Sequence, residues 1–258
     1  MNTFYFESAV VCSDIHLGKN SDELSRAFIY WLKESCLERI KSKPEWLLIL
    51  GDLFDAWVGD DILETDIPPD YVITLVTVLK QISFSGTKIG IMHGNRDFLI
   101  GEKFCKAVDA ELLPEEILLS HNETKSTYLL MHGDQLCTDD VEHQLFRKLV
   151  QSTDWKHEFL KKNITNRFSL ATKMREESYR AKSKKRQEIM DINVSETEKR
   201  MTSFDVNIII HGHTHKPGSY NLPSGKKRVV LPDWRLVQGK LSGGGLLLNS
   251  SGIHQLSL

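Results

Sequence analysis

Leu47, Leu48, Ile49 and Leu50 form an apolar run closed by Gly51, with Asp52 next and Asp55 three residues on. A short run of this kind reads as a strand covered on both faces, as in an α/β sheet. Ligands of such sheets gather outside the carboxyl ends of the strands. Asp52 therefore stands where an acidic side chain holds a metal or takes part in chemistry. An Asp that only caps the following turn is the alternative. Repetition decides between them, because the chain follows an apolar run with a polar donor five times. Asp14 and His16 follow residues 9–12, and Asp52 follows 47–50. Asn95 follows 88–92, His132 follows 127–131, and His213 and His215 follow 207–210.

At 258 residues the chain can bury a sizeable core. With 40% hydrophobic and 26% charged residues it has the balance of a globular protein, not a disordered one. A net charge of −2 sets up no overall field for nucleic acid or an anionic membrane, so any basic attraction is local. Cys12, Cys36, Cys105 and Cys137 are widely spaced, which excludes a zinc knuckle or a disulfide framework and suits a reducing cytosol. The N-terminal residues lack the basic start and apolar core of a signal peptide, and no run is long and apolar enough to cross a bilayer. A cytoplasmic location is expected.

The spacing predicts a helix over 22–40, with Leu24, Phe28, Trp31, Leu32 and Leu37 on one stripe. A second helix opens at Pro68 and Pro69 and runs to about Phe84, and a short one covers 101–108. From 140 to about 203 the pattern is helical without a strand-like run. Residues 141–200 hold 15 Lys and Arg against 9 Asp and Glu. Ser195 with Glu198 predicts a capping box for the last helix of this block. Residues 228–231, 246–248 and 253–258 read as short closing strands, with hairpins around 242–245. Strands flank 140–203 on both sides. The block is therefore a helical insertion on an α/β body, within a single domain spanning 1–258.

The strand-end donors mix carboxylate, amide and imidazole, which suits Mn²⁺, Fe or Zn²⁺ and disfavours Ca²⁺. In an extended segment alternate residues face the same side, so Asp14 with His16, and His213 with His215, can each face one ion. Seven donors are too many for one transition metal that keeps a position open. They suit two metals about 3.5–4 Å apart that share a carboxylate, and Asp52, alone at its strand end, is the choice for the shared ligand. Such a pair clamps a phosphoryl group and makes hydroxide available near neutral pH.

The segments Ser13 to His16, Gly51 to Asp55, Gly94 to Asp97, His132 to Asp134 and Gly212 to His215 resemble the five blocks of the calcineurin-like metallophosphoesterases. Residues 51–61, 93–101, 112–116, 131–140, 189–193 and 211–217 are similar to the branch that cleaves UDP-2,3-diacylglucosamine in lipid A biosynthesis. The resemblance covers nearly the whole chain. It implies a four-layer αββα sandwich with two metals, Mn²⁺ foremost, at the strand ends. It places Asp14, His16, Asp52 and His215 on one metal, and Asp52, Asn95, His132 and His213 on the other. Asp52, Asn95 and Arg96 would be catalytic. Asn95, Arg96, Asp140, Ser178, Lys182, Lys185 and His213 would touch substrate, and Lys182 departs from the uncharged polar residue expected there. The block 140–203 would be a cap over the active site.

Arg96 stands where the wider superfamily has His, a proton donor to alkoxide leaving groups. Arginine stays charged and cannot donate a proton in this way. The exchange is tolerable when the leaving group is itself a phosphate, with a second pKa of about 6, and Arg grips phosphate oxygens with its planar fork. Arg96 therefore points to a pyrophosphate. The alternative is a surface Arg paired with Asp97. Phe146, Leu149, Val150, Trp155, Phe159, Leu160, Phe168 and Leu170 either line a slot for acyl chains or pack the cap helices together. A lipid substrate implies peripheral association with the cytoplasmic face of the inner membrane, with no nucleic acid and no obligate protein partner. The competing functions are a phosphoesterase for soluble nucleotides or nucleic acid, and an inactive scaffold. The apolar residues of the insertion argue against the first, and the seven intact donors against the second.

Overall fold

A computed structural model describes residues 3–19, 22–38, 43–182 and 189–258, with the side chains of 181 and 182 excluded. The chain opens with β1 (Thr3–Phe6), β2 (Ala9–Cys12), α1 (Asp22–Lys33) and β3 (Trp46–Leu50). Next come α2 (Asp70–Phe84), β4 (Lys88–Met92), α3 (Glu102–Val108), β5 (Ala110–Leu112), β6 (Glu116–His121) and β7 (Thr127–Met131). The helical block supplies α4 (Val141–Gln151), α5 (Thr153–Leu160), α6 (Ile164–Lys182) and α7 (Val194–Ser203). The close of the chain adds β8 (Ile208–His211), β9 (Gly218–Asn221), β10 (Lys227–Val230), β11 (Arg235–Val237), β12 (Lys240–Ser242), β13 (Gly244–Asn249) and β14 (Gly252–Ser257).

Two six-stranded sheets result, ordered β14-β13-β2-β3-β4-β5 and β1-β6-β7-β8-β10-β9. β2, β3 and β4 run parallel in the first, and β7 and β8 run parallel in the second. Successive side chains of β2 and β3 point to opposite faces. Val10, Cys12, Leu47 and Ile49 pack with Phe28, Leu32, Leu75 and Leu79 of α1 and α2. Ala9, Val11, Leu48 and Leu50 pack with Leu119, Leu129 and Ile209 of the other sheet. α7 lies against that second sheet through buried Met201 and an Arg200–Glu116 ion pair. The architecture is the expected αββα sandwich.

The helical block divides. α4, α5 and α6 lean over the loops after β3 and β4, with Trp155 edge-on to Phe98 and with Val150 and Phe159 in the first core. Arg167 of α6 is 2% exposed. It donates to the Val58 carbonyl at 2.6 Å and holds Asp61 in a two-point ion pair.

Several local expectations are corrected. The helix from residue 22 ends as α-helix at Lys33 and passes into a wider π-type turn over Glu34–Glu38. α7 is capped by Asn193, whose side chain accepts from the Glu196 amide at 3.0 Å, not by a Ser195–Glu198 box. Glu198 instead accepts from the Ser224 amide at 2.7 Å. Residues 242–245 form no hairpin turn. The reversals lie between Val237 and Lys240 and between Asn249 and Gly252.

Candidate active site

All five donor-bearing loops leave the carboxyl ends of β2, β3, β4, β7 and β8 at one edge of the sandwich. Asp14, His16 and His215 form one cluster whose ligand atoms all lie within 4.8 Å of one another, and Asp14, Asp52 and His132 form a second. Asp52 Oδ2 stands 3.9 Å from His16 Nδ1 and 3.7 Å from His132 Nε2, one imidazole on each side. Asn95 Oδ1 lies 3.3 Å from His132 Nε2 and 2.9 Å from His213 Nδ1. The fold thus brings together all seven donors expected from the sequence, across up to 201 residues of chain.

Packing and backbone conformation explain this convergence. A Cβ on Gly94 would overlap Asp52 Oδ1, and one on Gly212 would overlap Asp14 Oδ2. The two glycines let neighbouring loops approach until their ligands meet. Asp14, His16, Asp52, His213 and His215 all have left-handed backbones, with φ between 52° and 62°. Such conformations cost non-glycine residues roughly 1–2 kcal/mol each, so the surrounding packing must impose them.

Hydrogen bonds aim the donors. His132 Nδ1 donates to the Leu50 carbonyl at 2.8 Å, which leaves Nε2 of the neutral ring with a lone pair toward the cluster. Fully buried Asp97 accepts from the amides of Asp52, Leu53, Phe54 and Gly94 and so pins the β3 and β4 loops together. Its oxygens are engaged by backbone, which disfavours a role as partner to Arg96. The Arg96 amide donates to Asp52 Oδ1 at 2.8 Å, leaving Oδ2 for the cluster. The His213 amide donates to both Asp14 oxygens, at 3.1 and 3.0 Å.

Electrostatics follow from burial. Burial pushes the Asp52 carboxyl up, and the charge of Asp14 adds to the shift while His132 opposes it. Burial also opposes the charge on Asp14, but the His215 hydrogen bond and the nearby imidazoles hold it below the carboxylate range. Burial pulls His16 down to about 4. It pulls His215 down too, but bonds to Asp14 and Asp233 outweigh it and raise His215 to about 10. The donor set fits metal ions. His16 Nδ1 is buried without a hydrogen-bond partner. The His132 Nε2 lone pair faces an Asn95 oxygen, and the Nε2 atoms of His16 and His215 meet at 3.4 Å. Lone pairs that converge without protons between them are resolved by a cation.

Beside the cluster lies a cavity of about 580 Å³, whose walls include Asn95, Arg96, Phe146, Trp155, Phe159 and Ser178. Ser178 and Arg96 therefore face the same space. Asp140 is the N-cap of α4 and accepts from the His143 amide at 3.1 Å. Lys182 ends α6, but its side chain and the whole of Lys185 lie outside the described residues. Of the apolar residues noted in the block, Phe146, Trp155 and Phe159 line this cavity, while Phe168 lines a second, wider one behind the Asp55–Arg175 ion pair. Leu149 and Leu160 are exposed.

Sequence reasoning passed over His143, whose ring stacks on His213 at 5.4 Å and borders the cavity. No spacing in the sequence marks it. Asp233 was noted only as a loop residue that edges the site. Its Oδ2 lies 3.3 Å from His215 Nδ1, while the Trp234 amide donates to the Asp14 carbonyl.

Residues 8–217 match the calcineurin-like phosphoesterase family. A UDP-2,3-diacylglucosamine hydrolase from Bordetella pertussis is 37% identical over 254 residues, covering 96% of this chain and 94% of that protein. One from Haemophilus influenzae is 40% identical over 223 residues, covering 86% of this chain and 89% of that protein. Among solved structures, a dimetal phosphatase from Danio rerio superposes with a TM-score of 0.50 at 13% identity, covering 94% of this chain and 92% of that one, a likeness of fold alone.

Proposed function

This chain belongs to the calcineurin-like phosphoesterases, and from that premise we propose that Asp14, His16, Asp52, Asn95, His132, His213 and His215 hold two divalent metals, Mn²⁺ by preference, with Asp52 between them. The chain is a hydrolase of UDP-2,3-diacylglucosamine in lipid A biosynthesis. Its family works with two metals, and candidate ligands for them are in place. When bound, such a pair supplies positive charge against the phosphoryl oxygens and a water acidified toward neutral pH.

Water attacks the α-phosphorus in line with the bridging oxygen, and the bond from phosphorus to that oxygen breaks. UMP keeps the new oxygen, and 2,3-diacylglucosamine 1-phosphate leaves with the bridging one. A phosphate leaving group needs no proton from the protein, so Arg96 serves by charge alone. Its backbone is tied to Asp52, and its side chain shares the cavity wall with Asn95. Asn95, Arg96 and His213 hold the phosphates, and Asp140, Ser178, Lys182 and Lys185 hold the rest of the headgroup. Residues 140–203 act as a cap within one domain, with acyl chain lodged against Phe146, Trp155 and Phe159.

Among the described residues no helix is long and apolar enough to cross a membrane. Val141, Leu145 and Leu149 recur every fourth residue along α4 and are 63%, 64% and 55% exposed. That stripe suits the cytoplasmic surface of the inner membrane, from which the substrate comes.

The observation that carries this reading is the apolar cavity that opens directly onto Asn95 and Arg96. The test incubates the purified protein with Mn²⁺, detergent-dispersed UDP-2,3-diacylglucosamine and ¹⁸O-water. UMP carrying the label is expected. Label in the lipid phosphate, or equal rates on soluble UDP-sugars, would overturn the reading.

A further inference from the structure

The segment 189–193 belongs to neither the metal cluster nor the cavity, yet it touches the loop that carries His213 and His215. Asp191 Oδ1 accepts from Arg228 Nη2 at 2.8 Å, and its Oδ2 accepts from Lys216 Nζ at 2.7 Å. Arg228 of β10 is a buried side chain. Its Nε donates to His211 Nε2 at 2.8 Å, and its Nη2 also reaches Thr214 Oγ1 at 3.2 Å. The ring of Tyr220 covers the guanidinium at 5.3 Å. With Nε2 of His211 accepting, its Nδ1 carries the proton and donates to the Gly212 carbonyl at 2.8 Å.

These contacts grip the loop on one side, while Asp14 and Asp233 hold it on the other through the His213 amide and the His215 ring. Thr214, the residue Arg228 reaches, lies between the two left-handed histidines. Asp191 also sits where the chain comes back from the helical block, two residues before the Asn193 cap of α7.

We propose that Asp191, acting through Arg228, is a positioning residue for His213 and His215, so that the return of the chain from the helical block helps set the metal affinity of the site. The charge of Asp191 fixes Arg228, and Arg228 orients His211 and Thr214. Together these hold the two histidines in conformations the backbone alone disfavours. Outer partners of metal ligands have effects of this kind when changed, about 10–100-fold in affinity or activity. The inference rests on the two-metal reading above.

The test titrates chelator-treated full-length protein with Mn²⁺ by calorimetry, for the native sequence, Asp191→Ala and Asp191→Asn, alongside melting curves without metal and steady-state kinetics. Asp191→Ala should weaken the weaker Mn²⁺ site at least tenfold, with the metal-free melting temperature within about 2 °C of the native value. kcat should fall at subsaturating Mn²⁺ and recover as Mn²⁺ is raised, with KM unmoved. Asp191→Asn, which keeps an acceptor for Arg228, should lie between the two. Mn²⁺ affinity within twofold of native in Asp191→Ala, or an affinity loss that only tracks a falling melting temperature, overturns the proposal. A native protein that binds no Mn²⁺ pair would instead sink the two-metal reading itself.

Discussion

At the strand ends, Asp97 accepts four backbone amides and Gly94 leaves no room for a methyl group, whereas on α4 the side chains of Val141, Leu145 and Leu149 face outward. The first region is over-determined. Each donor is aimed by a neighbour that is itself held. The second is a loose lattice of helices, tied to the body by one ion pair, Arg167 with Asp61, and a few aromatic contacts. The contrast separates two jobs. Chemistry at phosphorus needs donors fixed to within fractions of an ångström, while lodging an acyl chain needs only apolar volume. Change at the strand ends should therefore appear in turnover, and change in α4–α6 in substrate affinity.

The strongest way to break that contrast is Asp52→Ala. It should lower kcat by about 10³-fold or more, while the metal-free protein melts no lower than native, because a buried carboxylate is gone. Retained turnover would refute the paired-metal site. Next is Asp61→Ala, which leaves buried Arg167 unpaired. A loss of about 2 kcal/mol in urea unfolding is expected, less than for a wholly buried pair because Asp61 is partly exposed. Cleavage by trypsin should rise first within α4–α6, and attack elsewhere would show that the ion pair is not what tethers them. Trp155→Ala should raise KM about tenfold with kcat within about twofold. A kcat effect would instead mean that the loose region reaches into the chemistry.

Proton linkage sharpens the same contrast. Burial and the Arg228 charge pull His211 down to about 3, and burial pulls His16 to about 4. Their ordinary value is near 6.5, so the unfolded chain binds more protons below that pH. The stability these two contribute is present above pH 6.5 and is lost as pH falls toward 4 and 3. Asp97, pushed up to about 6 by burial and by Asp52, opposes them between pH 3.8 and 6. Metal-free protein should therefore melt lower at pH 5 than at pH 6.5, by at most about 1.4 kcal/mol per pH unit for each proton. His211→Gln should flatten the slope, and an unchanged slope would place the titrating groups elsewhere. The smallest effect is Asn193→Ala, about 1 kcal/mol from the lost cap, which chemical denaturation should detect without a change in KM.

The strand-end region was legible in the sequence because two signals coincide there. An apolar run of four or five residues ends at a donor, and a glycine stands beside most of those donors. Edge strands were not legible. β9 is wholly exposed, and β5, β11 and β12 have three residues each, so neither burial nor alternation marks them. The cap of α7 was misjudged because Ser195 and Glu198 satisfy a local rule, while Asn193 and the Ser224 amide compete for the same groups in three dimensions. The stacking of His143 on His213 and the span from Asp191 to Arg228 join distant segments that no spacing records. Tertiary structure alone brings them together.

Five of the seven donors have backbones turned to positive φ, a region that only glycine, asparagine and aspartate enter easily. The geometry limits how such a site can decay. Valine or isoleucine at Asp14, Asp52 or His213 would remove the ligand and also clash with its own main chain. A descendant that has abandoned hydrolysis while keeping the scaffold should carry asparagine or glycine at these positions, a fossil of the lost ions written in backbone torsions.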